Sequence, residues 1–257
     1  ISELPAVESP NATQFFNTTP LIRPNDLELS RIAQLINESA STTIFCGLGA
    51  EEAHAEVVKL AAHIKAPVGY TFRGKMAIQP NNPYEIGMTG LLGQPAAYHS
   101  MHDSDLILLL GTDFPYDKFI PKDTKIVQID LHPERLGRRA KLSLGACGDI
   151  KNTLTALFPL LELKTDSSFL ETQLAMHAKT KEKMLDVVAD KGQEDAIQPE
   201  YVAHLIDIHA DEDSIFTLDT GMTCVWGARF IRGTGARKML GSFNHGSMAN
   251  AMPMGIG

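Results

Sequence analysis

The sequence predicts a doubly wound α/β domain built on a parallel sheet, followed by a second α/β unit that is cut short. Three observations carry this. Short apolar runs alternate with stretches at helical spacing between residues 26 and 165. Two of those runs, "DLILLLG" and "KIVQID", are almost continuously apolar, the mark of strands buried on both faces. The alternation restarts after residue 197, but only about 60 residues remain, too few to close a second doubly wound sheet.

In order along the chain, residues 1–25 scatter Pro5, Pro10, Pro20 and Pro24 among polar residues and read as an extended lead-in. "DLELSRIAQLINES" places Leu27, Ile32, Leu35 and Ile36 at helical spacing. "TTIFCG" is a short buried strand, "GAEEAHAEVVKLAAHIK" a helix with an acidic first turn, and "APVGYT" a second strand. "RGKMAIQPNNPYEIGMTGLLGQ" reads as a long loop and "PAAYHSMHDS" as a short helix. After the two apolar strands comes the helix "DIKNTLTALFPLLEL", with Asp149 placed to cap it. A polar helical stretch from Asp166 to Asp190 and "KGQEDAIQ" form a linker, 166–197, between a domain at 26–165 and the incomplete unit at 198–257. That unit reads as helix "PEYVAHLIDIHA", strand "SIFTLD", helix "TCVWGARFI", a strand near "RKMLGS" and a helix beginning near Gly246.

With 44 % apolar and 21 % charged residues, the chain can bury a sizeable core, which excludes global disorder. A net charge of −8 disfavours a general nucleic-acid binder. Cys46, Cys147 and Cys224 lie far apart without C-x-x-C spacing, which points to a reducing compartment and away from a disulfide framework or zinc site. "ISELPAVESP" is not a signal peptide, and no apolar run has the length of a membrane span. A chain that opens on Ile1 and stops inside a glycine-rich pattern is expected to be a piece of something longer.

Ligands of open α/β sheets bind beyond the carboxyl ends of the strands, where glycine turns feed helices. "CGLGAEE" is a partial G-x-G-x-x-G, with Gly47 and Gly49 present and Glu52 at the third glycine position. The second strand ends in Thr71, Phe72 and Arg73, with no acid to read a nicotinamide ribose. "GMTGLLGQ" brings Gly87, Gly90 and Gly93 into seven residues. "LLLGTDFPYDKF" exposes Phe114 and Tyr116 after a strand, for stacking or for core packing. "QIDLHP" sets Asp130 to take ribose hydroxyls or to cap the next turn. Together these edges suit a long, multi-part ligand, with Arg73 and Lys118 available to phosphate. In the second unit "GSFNHGSMANAMP" puts Asn244, His245, Gly246 and Ser247 on a turn that would offer backbone N–H groups to an anion.

The stretches "RGK", "NNPYEIGMTGLLG", "LLLGTDFPY", "QIDLHPERLG", "GDIKNTLTALFPLL" and "LGSFNHGSMANAMP" resemble, in order and spacing, the thiamine-diphosphate (ThDP) enzymes with a middle FAD domain, and most closely their bacterial pyruvate oxidase (quinone-linked pyruvate dehydrogenase) branch. The resemblance implies that 26–165 is the FAD domain and 198–257 the opening of the ThDP-diphosphate domain. It implies FAD contacts at Leu91, Leu92, Gly93, Gln94, Phe114, Pro115, Tyr116, Asp117, Lys118 and His132, with Arg73 and Gly47 as further nucleotide partners. It implies ThDP contacts at Gly246, Ser247 and Met248. The resemblance further implies an activating glutamate in a preceding domain and Mg²⁺ ligands beyond Gly257, so no catalytic or metal residue is expected in this segment and the segment alone should not turn over. The implied activity is conversion of pyruvate to acetate and CO₂ with electrons passing through FAD to quinone. It would belong to a cytoplasmic homotetramer, peripheral to the inner membrane through a C-terminal tail not contained in this sequence. An acetolactate-synthase-like carboligase with structural FAD is the alternative within the superfamily. A sirtuin-like nucleotide module is the alternative outside it.

Overall fold

The computed structural model describes residues 20–189 and 196–257. Most of the lead-in expected over 1–25, and residues 190–195 of the expected linker, lie outside the described residues.

Helix α1 (Asp26–Glu38) starts at a reciprocal cap. Asn25 Oδ1 accepts from the Glu28 amide and Glu28 Oε2 accepts from the Asn25 amide, both at 2.9 Å. Its buried stripe is Leu29, Ile32, Ala33 and Ile36. Leu27, expected on that stripe, is 70 % exposed, because Leu29 and Ala33 complete the spacing with Ile32 and Ile36. Then follow β1 (Thr42–Cys46), α2 (His54–Ile64), β2 (Val68–Tyr70), α3 (Lys75–Ile78), β3 (Glu85–Met88), α4 (Pro95–Asp103), β4 (Leu106–Leu110), β5 (Lys125–Asp130), β6 (Leu144–Cys147) and α5 (Ile150–Leu157).

The six strands form one parallel sheet in the order β3-β2-β1-β4-β5-β6. Every residue of β1 and β4 is buried, as their apolar runs require. Asp149 caps α5, its Oδ1 accepting from the Asn152 amide at 2.8 Å. The chain reverses direction across the sheet between β1 and β4, where a doubly wound fold opens its crevice.

Further expectations change, and β6 joins the sheet where no strand was expected. The stretch read as one long loop contains α3 and the edge strand β3. "EIGM" carries little strand signal, because its Glu85 is buried by tertiary partners rather than by local pattern. The helix after β1 opens with a 3₁₀ turn over Leu48–Ala53, and regular α-geometry begins only at His54.

Helix α6 (Ser168–Ala189) docks on β3 and α4 through a buried polar cluster. Glu85 accepts from Tyr70 Oη at 2.6 Å and from the Lys181 ammonium, and lies 3.4 Å from His177 Nε2. Burial alone would raise the Glu85 carboxyl. The nearby His177 ring and the Lys181 ammonium outweigh it and hold the carboxyl at about 2.

The second unit consists of α7 (Pro199–His209), β7 (Ile215–Thr217), α8 (Met222–Phe230), β8 (Lys238–Leu240) and α9 (Ala251–Ile256). Strands β7 and β8 pair in parallel, a two-stranded sheet. The last helix begins at Ala251, not near Gly246. The preceding turn bonds to itself instead: Gly246 N donates to Ser242 O, Ser242 N to Asn250 Oδ1, and Asn250 Nδ2 to Asp219 Oδ1. The Gly246 N–H expected to face an anion is therefore engaged within the turn.

Candidate functional site: a cleft over the strand ends

The crevice floor rests on glycine-to-glycine packing. Gly47 N donates to Leu110 O and Gly49 N to Gly111 O, each at 2.9 Å. A Cβ on Gly47 would lie 2.4 Å from Gly111 O, and Gly111 itself has φ +59 with its missing Cβ 2.6 Å from Gly49 Cα. Side chains at these positions would drive the β1 and β4 turns apart.

Above this floor opens a cleft of about 940 Å³. Of the residues expected at a ligand, Arg73, Leu91, Leu92 and His132 line it, as do Phe114, Pro115 and Tyr116. The two rings meet edge to face with centroids 5.4 Å apart, lying where a side chain on Gly90 would sit. Phe114 is buried, and Tyr116 is 37 % exposed.

The remaining expected residues lie elsewhere. Gly47 is beneath the floor. Gly93 closes the turn after β3, its amide donating to Gly90 O at 2.9 Å. Gln94 turns away from the cleft, its Nε2 reaching Met184 Sδ on α6 at 2.9 Å. Asp117 and Lys118 are exposed on the 3₁₀ turn Asp117–Phe119, outside the cleft lining.

The lining also includes polar and charged residues not expected at a ligand, among them Thr89, Asp113, Arg135 and Arg139. The basic run "ERLGRRAK" straight after a strand end was the available signal. Asp113 binds Arg139 Nε at 2.9 Å and Arg138 Nη1 at 3.1 Å, which ties the 135–139 loop to the end of β4. Gln128, buried in β5, secures the same loop, donating to Arg135 O and accepting from the Gly137 amide.

Asp130 is 1 % exposed and lines the cleft at the tip of β5. Its Oδ1 accepts from the His132 amide at 2.9 Å, while its buried Oδ2 has no hydrogen-bond partner among the described residues. The same holds for Thr89 Oγ1. Unpartnered buried acceptors are uncommon, and a carboxylate oxygen in this state suits a ligand hydroxyl.

The second unit supplies the opposite wall through Thr220, Gly221, Cys224, Phe243 and Asn244. Arg73 Nη1 donates to Asn244 Oδ1 at 3.2 Å, and the Phe72 and Phe243 rings meet at 4.7 Å. Burial pushes the Cys224 thiol up, so it stays protonated. Gly246 and Ser247 are exposed and Met248 is 83 % exposed, and a Cβ on Gly246 would meet nothing within 4 Å. These three residues form a rim, not a pocket, and by themselves do not enclose a cofactor. Among the described residues no group of three or more His, Cys, Asp or Glu converges to hold a metal ion.

Comparison with known proteins places the chain by its sequence. Residues 29–157 match the family described as "Thiamine pyrophosphate enzyme, central domain". The chain is 46 % identical over 163 residues to an uncharacterized 42.6 kDa protein of Pseudomonas amyloderamosa, covering 63 % of this chain and 41 % of that one. It is 28 % identical over 247 residues to a probable acetolactate synthase large subunit of Methanocaldococcus jannaschii, covering 90 % and 41 %. It is 23 % identical over 257 residues to the pyruvate oxidase of Lactiplantibacillus plantarum, covering 99 % and 42 %. The chain thus spans about two fifths of the length of these relatives.

Proposed function

The chain belongs to the thiamine pyrophosphate (ThDP) enzymes, matched through their central domain, and from that premise we propose that it is the flavin-nucleotide-binding segment of a pyruvate-decarboxylating oxidoreductase. Membership in that family sets the sirtuin-like module aside. The observation that carries the reading is the unpartnered Asp130 Oδ2, buried at the tip of β5 in a cleft that also holds the Phe114–Tyr116 ledge.

FAD, when bound, supplies a two-electron acceptor. This chain's part is placement. Asp130 Oδ2 and Thr89 Oγ1 accept ligand hydroxyls that would otherwise stay with water. Arg73, Arg135 and Arg139 are the lining cations that could meet a diphosphate, Arg139 already paired with Asp113. Phe114, Tyr116 and Leu92 offer apolar surface to a flat ring and exclude solvent from it. The tight turns at Gly47 and Gly111 keep backbone N–H and C=O groups paired at the crevice, so the floor is rigid before any ligand arrives.

Pyruvate as substrate, quinone as acceptor, a homotetramer, and a cytoplasmic enzyme peripheral to the inner membrane all extend this reading to the whole protein. It would convert pyruvate to acetate and CO₂. The second reading, a carboligase with structural FAD, is favoured by the acetolactate synthase relative, which is more similar to this chain than the pyruvate oxidase is. Titrating the chain with FAD is the first test. Quenched and shifted flavin fluorescence at micromolar FAD is expected, and unchanged emission at high micromolar FAD would overturn the flavin reading. For the full-length protein fed pyruvate, acetate with quinone reduction supports the oxidoreductase, and acetolactate without it supports the carboligase.

A further inference from the structure

Residues 71–79 have two working faces. Thr71, Phe72 and Arg73 line the cleft. Gly74 presses on the turn after β1, where a Cβ would lie 3.1 Å from both Cys46 O and Gly47 O. Lys75 reaches the other way and is only 2 % exposed. Its Nζ donates to Ala228 O at 2.6 Å and Ile231 O at 2.5 Å, two carbonyls at the end of α8. The last carbonyls of a helix lack partners within the helix, and the negative end of its dipole favours a cation. Burial lowers the Lys75 ammonium to about 8, with Glu85 and Asp207 holding it up, so it is still mostly charged at neutral pH. One turn on, Gln79 Oε1 accepts from Gly233 N at 2.8 Å, and Pro80 packs where a Gly233 side chain would be.

The start of α8 and the loop after β8 are the cleft's second wall, through Thr220, Gly221, Cys224, Phe243 and Asn244. The wall thus depends on how α8 is seated. A two-stranded sheet does not hold its own position. The other polar links from wall to floor are weak: Arg73 to Asn244 is exposed, and Arg229 reaches Gly93 O only at 3.5 Å. Charge-assisted bonds from a buried ammonium are the strong ones.

We propose that Lys75 is the positioning residue that seats α8 and with it the second wall of the cleft. Without the ammonium the wall comes away, and a nucleotide is held by the first unit alone. This consequence rests on the cleft being a nucleotide site; the seating itself does not.

The test is hydrogen exchange on the chain without ligand, comparing the parent, Lys75→Met and Gln79→Ala, with FAD association and dissociation followed in parallel. Lys75→Met is expected to speed exchange at 222–231 and 241–248 on the order of tenfold while β1, β4 and β5 stay protected. FAD dissociation should rise severalfold at an unchanged association rate, a split that general destabilisation does not produce. Gln79→Ala should show the same pattern at smaller amplitude. Exchange in both segments within twofold of the parent would overturn the proposal. If Lys75→Met loses protection across the six-stranded sheet as well, Gln79→Ala decides: faster exchange confined to α8 and 241–248 supports the seating, and none overturns it. Should FAD fail to bind the parent chain, the nucleotide reading falls while the exchange measurements still judge Lys75.

Discussion

The two units carry the same local device and put it under different pressure. Each ends strands in Gly- and Asp-bearing turns that lead to a helix. In the first unit the turn at Gly47 is pressed by Gly111 from the neighbouring strand, and every residue of β1 and β4 is buried. In the second, Gly221 and Gly246 have open space where a Cβ would lie, and β7 and β8 are no more than half-buried. A glycine turn becomes a binding floor only when a second strand crowds it, since crowding removes alternative conformations and aims the backbone. Alone, the same turn is a surface loop.

That contrast can be broken most sharply at its glycines. Gly111→Ala meets backbone at under 3 Å and forces a left-handed φ, so urea denaturation should show a loss of more than about 3 kcal/mol and no FAD binding. Gly246→Ala, at φ +67 in open space, should cost only about 1 kcal/mol. Equal losses would erase the distinction between floor and rim.

The next effect is acid sensitivity. Glu85 is held down at about 2 against an ordinary 4.5. Its depressed carboxyl contributes stability above pH 4.5 and loses it as pH falls toward 2, on the order of 3 kcal/mol in all. Acid titration by circular dichroism should show this loss, and Glu85→Gln should flatten the curve over that window. A parent and variant that titrate alike would mean the cluster beneath α6 is not ionised as the geometry requires.

Smaller again is Asp130→Ala. It removes the carboxylate aimed into the cleft and should weaken FAD about tenfold or more by fluorescence titration. The smallest change is Met248→Ala, which at 83 % exposure should move stability by less than about 0.5 kcal/mol. A large loss there would show that the rim is packed after all.

The strands were legible where burial on both faces leaves a continuous apolar run, as in Leu106–Leu110. Strand β3 was hidden because it opens on Glu85, and the partners that justify a buried acid are Tyr70 on the neighbouring strand and His177 and Lys181 on α6, almost a hundred residues later. The candidate site was legible at its strand tips: Phe114, Tyr116 and His132 do share one cleft. Gln94 and Lys118 were not separable from true lining residues, because sequence adjacency to a turn does not reveal which way a side chain leaves it. Asp113 and the arginines at 138 and 139 become partners only because the fold brings the end of β4 and the loop after β5 together.

By itself the sequence determined what depends on neighbours along the chain: the doubly wound alternation around β1, β2, β4 and β5, the Asp149 cap, and the tight glycine turns. Spacing and backbone preference act over a few residues and leave their signature there. Only the tertiary structure decided which strand tips converge, which Asp130 oxygen stays unpartnered, and that Lys75 ends inside the second unit. Burial and charge pairing are relations between distant segments, and no single segment encodes them.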